Sequence, residues 1–88
     1  MPKFEPLFTH NFLQEQAYWV LTKPETAAKI NTLVAAVLKE PFQGIGKPEP
    51  LRYGRLKGCW SRRITKEHRL VYLVQSDTIT FLQCRYHY

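Results

Sequence analysis

The sequence predicts an α+β fold: two N-terminal helices packed on a small antiparallel sheet. Three observations carry that expectation. Apolar residues recur at steps of three and four through residues 12–38, chain breakers crowd residues 41–58, and after Gly58 the apolar period changes to two. Eighty-eight residues, 44% of them hydrophobic, suffice for one core and not for two, so residues 1–88 are expected to form a single domain. The hydrophobic share, and aromatics at 14%, exclude a chain that stays disordered through low hydropathy. No apolar run approaches the roughly 20 residues needed to span a bilayer, and MPKFEPLFTHNF lacks the apolar core of a secretory signal. The expectation is a soluble, cytoplasmic protein with no membrane partner.

Taken in order, Leu7–Thr9 reads as a short edge strand, because Pro6 cannot donate to a ladder. Asn11 with Gln14 reads as a helix cap with its third-position partner, and Phe12, Leu13, Ala17, Val20 and Leu21 follow at helical spacing to about Thr22. Pro24 suits the first position of a second helix, where its missing N–H is no loss. Ala27, Ile30, Leu33, Val34, Val37 and Leu38 give that helix one apolar stripe, and Pro41 stops it. Pro41, Gly44, Gly46, Pro48, Pro50, Gly54 and Gly58 then exclude a helix and permit only a short or irregular strand. CWSRRI, HRLVYLVQ and TITFLQCRYHY read as three strands of a meander, with turns at Thr65–Glu67 and Gln75–Thr78, since crossovers need a dozen or more residues. The helices should cover one sheet face and leave the other open.

The net charge of +6 is not spread evenly. Four basic residues balance four acidic ones in 1–46, whereas nine face three in 47–88, so the second half carries the whole excess. Such a concentration points to a polyanionic partner, nucleic acid before membrane surface. Cys59 and Cys84 lie in apolar strand-like stretches and read as packing residues. In the expected register they sit about 9 to 10 Å apart on the strands flanking the central one, too far for a disulfide. With no CxxC and no Cys/His cluster at ligand spacing, neither a metal site nor a cofactor is expected.

A three-residue turn at Thr65–Glu67 would set Ile64 opposite His68 and Arg63 opposite Arg69, an unfavourable pairing unless an anion lies between the arginines or both bend into water. An odd second loop would add Arg85 opposite Arg69 and keep His87 on that face; an even loop would reverse this. The loop cations Lys47, Arg52 and Arg55 lie close in sequence to Glu49, and loops on a rigid scaffold are where functional groups concentrate. Singly each has an ordinary reading. Glu49 is a solvated carboxylate, His87 surface decoration, Arg63 and Arg69 generic phosphate contacts, and Trp60, Tyr72 and Tyr86 packing residues. Together they supply a base, an acid and cations, the equipment of metal-free RNA cleavage.

The segments PFQGIGKPEPL (41–51), WSRRITKEHRLVY (60–72) and CRYHY (84–88) resemble those of the YoeB toxins of the RelE superfamily, as do Tyr18–Trp19 and KIN at 29–31. The sequence departs from that pattern at Pro6 and by one added residue within Tyr53–Lys57. The resemblance implies the RelE-like microbial RNase fold and a ribosome-dependent mRNA endoribonuclease, the toxin of a type II toxin–antitoxin pair. It implies cleavage of mRNA in the ribosomal A site by 2′-OH attack on the phosphodiester, without metal or cofactor. By the same resemblance Glu49 is the general base, His87 the general acid and Arg69 the stabiliser of the phosphorane. Arg63 supports the phosphate, Tyr88 orients the scissile nucleotide, and Lys47, Arg52, Arg55, Arg62 and Arg85 are cations for RNA or ribosome. Implied partners are the ribosome, its mRNA, a YefM-like antitoxin and a second copy of the chain. Two other functions fit the scaffold: a gyrase-inhibiting toxin, and a non-catalytic basic RNA-binding module. Neither has a use for both Glu49 and His87.

Overall fold

The structure is a computed structural model, and it describes residues 3–86. His87 and Tyr88 lie outside the described residues. Seven elements follow in the order β1 (Glu5–Phe8), α1 (His10–Thr22), α2 (Pro24–Lys39), β2 (Glu49–Pro50), β3 (Trp60–Arg63), β4 (Arg69–Gln75) and β5 (Thr78–Gln83). They build one five-stranded sheet of order β1-β5-β4-β3-β2 with both helices on the same face. The α+β class is as the sequence predicts. The sheet, however, is mixed: β2 to β5 pair antiparallel, but β1 runs parallel to β5, with Glu5 beside Thr78 and Phe8 beside Phe81. A partner some seventy positions away leaves no trace in a local apolar pattern.

The strand β1 spans Glu5–Phe8 where Leu7–Thr9 was expected, and it ends before Thr9 because Thr9 has another use. Its hydroxyl accepts from the Phe12 N–H (3.0 Å), capping α1, and donates to the Leu82 carbonyl (3.0 Å), tying the helix start to β5. Asn11, expected as the cap, instead donates to the same carbonyl from its side chain. The buried face of α1 also differs from the expected one. Phe12 and Trp19 enter the core, whereas Leu13, Val20 and Leu21 lie exposed. A helix of 13 residues carrying apolar groups all round offers two stripes at helical spacing, and only packing chooses between them.

The second helix matches its prediction. Pro24 opens it, Glu25 in its first turn and Lys39 in its last complement the helix dipole, and Ala27, Ile30, Leu33 and Val37 are buried. They pack on Ile64, Leu70, Tyr72, Ile79 and Phe81 from the sheet, with Trp60, Val34 and Leu38 at the margin. The opposite sheet face is not wholly open. Leu51, Leu56 and Cys59 fold over Val71, with Leu73 and Leu82 beside them, so the 51–59 loop builds a second small core there.

Candidate functional site

Strand alternation sorts the residues after Gly58 onto the two faces. Trp60, Arg62 and Ile64 point to the helices, whereas Ser61 and Arg63 point away. The register Arg63↔Arg69 is as the sequence predicts, and Glu49↔Ser61↔Val71↔Gln83 forms the neighbouring row. Glu49, Arg63 and Arg69 therefore share one face. Glu49 and Arg69 stand two strands and two residues apart, about 12 Å between Cα atoms.

Of the two facing arginines, one is tied to backbone carbonyls and the other is exposed to water. Arg69 Nη1 donates to the carbonyls of Thr65 (2.9 Å), Lys66 (3.2 Å) and His68 (3.2 Å), which draws its charge onto the turn, while Arg63 is exposed. Arg63 instead fixes backbone: its N–H donates to the Gly46 carbonyl (2.6 Å), which brings Lys47 alongside it. Lys47 has φ +52, a left-handed conformation that costs a non-glycine residue about 1–2 kcal/mol and turns the chain into β2. A hollow of about 290 Å³ lined by Glu49, Pro50, Leu51, Arg52 and Tyr53 adjoins the carboxylate. A second, of about 350 Å³, is rimmed by Lys29, Lys47 and Arg63 over Leu33 and Ile45. Lys29 was not among the expected site residues, since a single lysine on the polar side of an amphipathic helix carries no signal of its own. Arg52 and Arg55 are exposed on the 51–59 loop.

Arg62 does not belong with these cations. It is fully buried on the helix side, where Nη2 donates to the Glu40 and Gln43 carbonyls, Nη1 to the Ile45 carbonyl (3.1 Å) and Nε to the Tyr72 hydroxyl (3.2 Å). Tyr72 in turn donates to the Pro41 carbonyl (2.6 Å), and burial pushes its phenol up against the opposing pull of Arg62. The expectation that Arg62 contacts RNA or ribosome is corrected: its charge is spent inside the molecule on the backbone of residues 40–45. That loop fits around it closely. A Cβ on Gly46, at φ +85, would come within 3.0 Å of Leu33 and 3.1 Å of Arg62. Trp60 packs at a tilt against Phe42 (centroids 4.9 Å apart) at the edge of the same loop.

The register toward the C-terminus has an unexpected history. The β4–β5 turn closes at Gln75↔Thr78 with an even loop of two residues, against the odd one expected, but a bulge at Val71/Tyr72 shifts the pairing by one. The pairing ends at Val71↔Gln83, short of Arg85, and the Arg69 N–H bonds the Tyr86 carbonyl (2.9 Å). Arg85 is half-buried, its guanidinium 3.6 Å over the Tyr18 ring and 4.8 Å over that of Tyr86. Cys59 and Cys84 are free thiols on opposite sheet faces. Burial pushes the Cys84 thiol up to about 12, with Glu15 adding to the effect, and burial also raises Cys59 against the opposing charge of Arg55. Among the described residues no three His, Cys, Asp or Glu side chains cluster as a metal site would require, and no helix is long and apolar enough to cross a membrane.

Residues 8–88 match the family model described as the YoeB-like toxin of bacterial type II toxin–antitoxin systems. The chain belongs to this family. Toxin YoeB of Escherichia coli K12 is 52% identical over 71 residues, covering 81% of this chain and 83% of that one. A solved YoeB/ParE toxin from Agrobacterium tumefaciens superposes with TM-score 0.90 at 40% identity, over 97% of this chain and all of that one. YoeB of Staphylococcus aureus is 36% identical and covers 98% of this chain and 99% of its own; it has been solved as a dimer (TM-score 0.86) and in a complex with YefM (TM-score 0.83). As a YoeB-like toxin, the chain carries the KPEP, EHR and RYHY segments on which the earlier resemblance rested.

Proposed function

We propose that residues 1–88 form a single toxin domain that cleaves mRNA in the ribosomal A site by metal-free acid–base catalysis. The observation that carries this reading is the common face of Glu49, Arg63 and Arg69, a carboxylate in the row beside two cations. The Glu49 carboxylate takes the proton of a ribose 2′-OH. The resulting oxygen attacks the adjacent phosphorus, and the equatorial oxygens gain charge, which the Arg69 guanidinium stabilises with Arg63 in support. The bond from phosphorus to the 5′-oxygen breaks as His87 donates a proton to that oxygen, leaving a 2′,3′-cyclic phosphate and a 5′-hydroxyl. Tyr88 orients the scissile nucleotide. Lys47, Arg52, Arg55 and Arg85 supply attraction for mRNA and ribosome, and Lys29 joins them at the second hollow. The antitoxin is YefM-like, the toxin pairs with a second copy of itself, and it acts in the cytoplasm; the dimer and the YefM complex of the Staphylococcus aureus relative support the two protein partners. A non-catalytic RNA-binding module or a gyrase inhibitor would not require a carboxylate within the cationic face.

The test is to incubate the purified protein with programmed ribosomes and map mRNA 5′ ends. Cleavage confined to the A-site codon, leaving a cyclic phosphate and surviving EDTA in ribosomes kept intact by polyamines, is the expected result. Intact mRNA, or cleavage restored only by a divalent ion at the toxin itself, overturns the reading.

A further inference from the structure

We propose that His68 is a positioning residue: it fixes the backbone of Tyr86, the residue that precedes His87 in the sequence, and acts on cleavage through it. The proposal rests on the reading of His87 as general acid. Beyond β5 the sheet ladder ends, yet residues 84–86 are held by side chains from two directions. From α1, the Trp19 indole donates to the Cys84 carbonyl (2.9 Å), Glu15 accepts from the Cys84 N–H (2.7 Å), and Tyr18 lies under the Arg85 guanidinium. This gives the Tyr18–Trp19 pair a use that no step of the chemistry supplies.

From the β3–β4 turn, His68 Nδ1 accepts the Tyr86 N–H at 2.6 Å, while the Arg69 N–H donates to the Tyr86 carbonyl at 2.9 Å. Both backbone polar groups of Tyr86 are thus engaged by two consecutive residues, one of them the proposed phosphate cation. Tyr86 adopts φ +59, a conformation a tyrosine rarely takes and one that persists only where its surroundings enforce it. The imidazole is itself wedged, edge-on to Trp19 (4.7 Å) and against the Tyr86 ring (5.4 Å). Local strain gripped on both sides, at the residue that precedes a proposed proton donor in the sequence, is the kind of support a functional group held by its neighbours needs.

A double-mutant cycle with single-turnover cleavage on programmed ribosomes, and cosedimentation for affinity, tests this. His68→Ala should cleave at least about tenfold more slowly at unchanged ribosome affinity, because the loss falls on geometry at the reacting bond. His68→Asn should recover to within about threefold, since its Oδ1 occupies the place of Nδ1, while His68→Gln, with its acceptor displaced, should stay slow. In a His87→Gln background, His68→Ala should add less than about twofold. Wild-type cleavage by His68→Ala, or the same fold-loss in both backgrounds, overturns the proposal. Should His68→Ala fail to fold, equal rates for the Asn and Gln variants overturn it instead. The reading of His87 is judged separately, by the rate of His87→Gln alone.

Discussion

Arg62 and Arg63 are consecutive in one strand and do opposite work. On the helix face, Arg62 has no exposed surface and gives its donors to the carbonyls of Glu40, Gln43 and Ile45 and to the Tyr72 hydroxyl. On the other face Arg63 is exposed, opposite Arg69 and one row from Glu49. A buried cation that gathers three backbone carbonyls of one loop is a strut, because its removal takes the shared donor from all of them at once. An exposed cation beside another cation is unfavourable by itself and gains from an arriving anion. Net charge counts the two alike; the alternation of a strand separates them.

The largest expected effect sits on the buried side. Arg62→Met should lose about 2–4 kcal/mol of stability in urea unfolding, because the buried Tyr72 hydroxyl and three part-buried carbonyls lose their donor, whereas Arg63→Met should stay within about 0.5 kcal/mol of wild type. Equal losses for the two would erase the distinction between the faces. On the exposed side, replacing Lys47 or Arg52 by Met should reduce the slope of log affinity for programmed ribosomes against log salt by about one. Arg62→Met, assayed where it remains folded, should leave that slope as in wild type. A flatter slope for Arg62→Met would return its charge to the binding surface.

The smallest effect concerns the thiols, one beneath each face. For Cys84 the folded thiol is raised from 9.0 to about 12 by burial and by Glu15, so its contribution to stability is fully present below pH 9. That contribution is lost as the pH rises from there through about 12, where the unfolded thiol ionises and the folded one resists. The urea midpoint should therefore hold through pH 8 and fall above 9, and Cys84→Ala should show a shallower fall. A fall of unchanged steepness in the variant would assign the alkaline loss to other groups.

How much of this was legible in the sequence depends on how local the deciding interaction is. The stripe of α2 and the pairing of Arg63 with Arg69 follow from spacing and a short turn, both written within a few residues. The parallel partner of β1, the buried side of α1 and the bulge at Val71/Tyr72 are decided by contacts across the molecule. Arg62 is the instructive case. Its alternation with Arg63 could be counted, but the carbonyls that receive it come from a loop whose path no periodicity describes. His68 escaped notice because its partner is the backbone N–H of Tyr86, and a backbone group carries no residue-type signal.

The central claim is that the face shared by Glu49, Arg63 and Arg69 performs chemistry and does not merely bind. Single-turnover cleavage by Glu49→Gln at saturating programmed ribosomes tests it most directly. The expected rate is at least about a hundredfold below wild type, with ribosome affinity and unfolding midpoint unchanged, since a general base acts only where a proton moves. Cleavage at the wild-type rate would contradict it and leave that face as a binding surface alone.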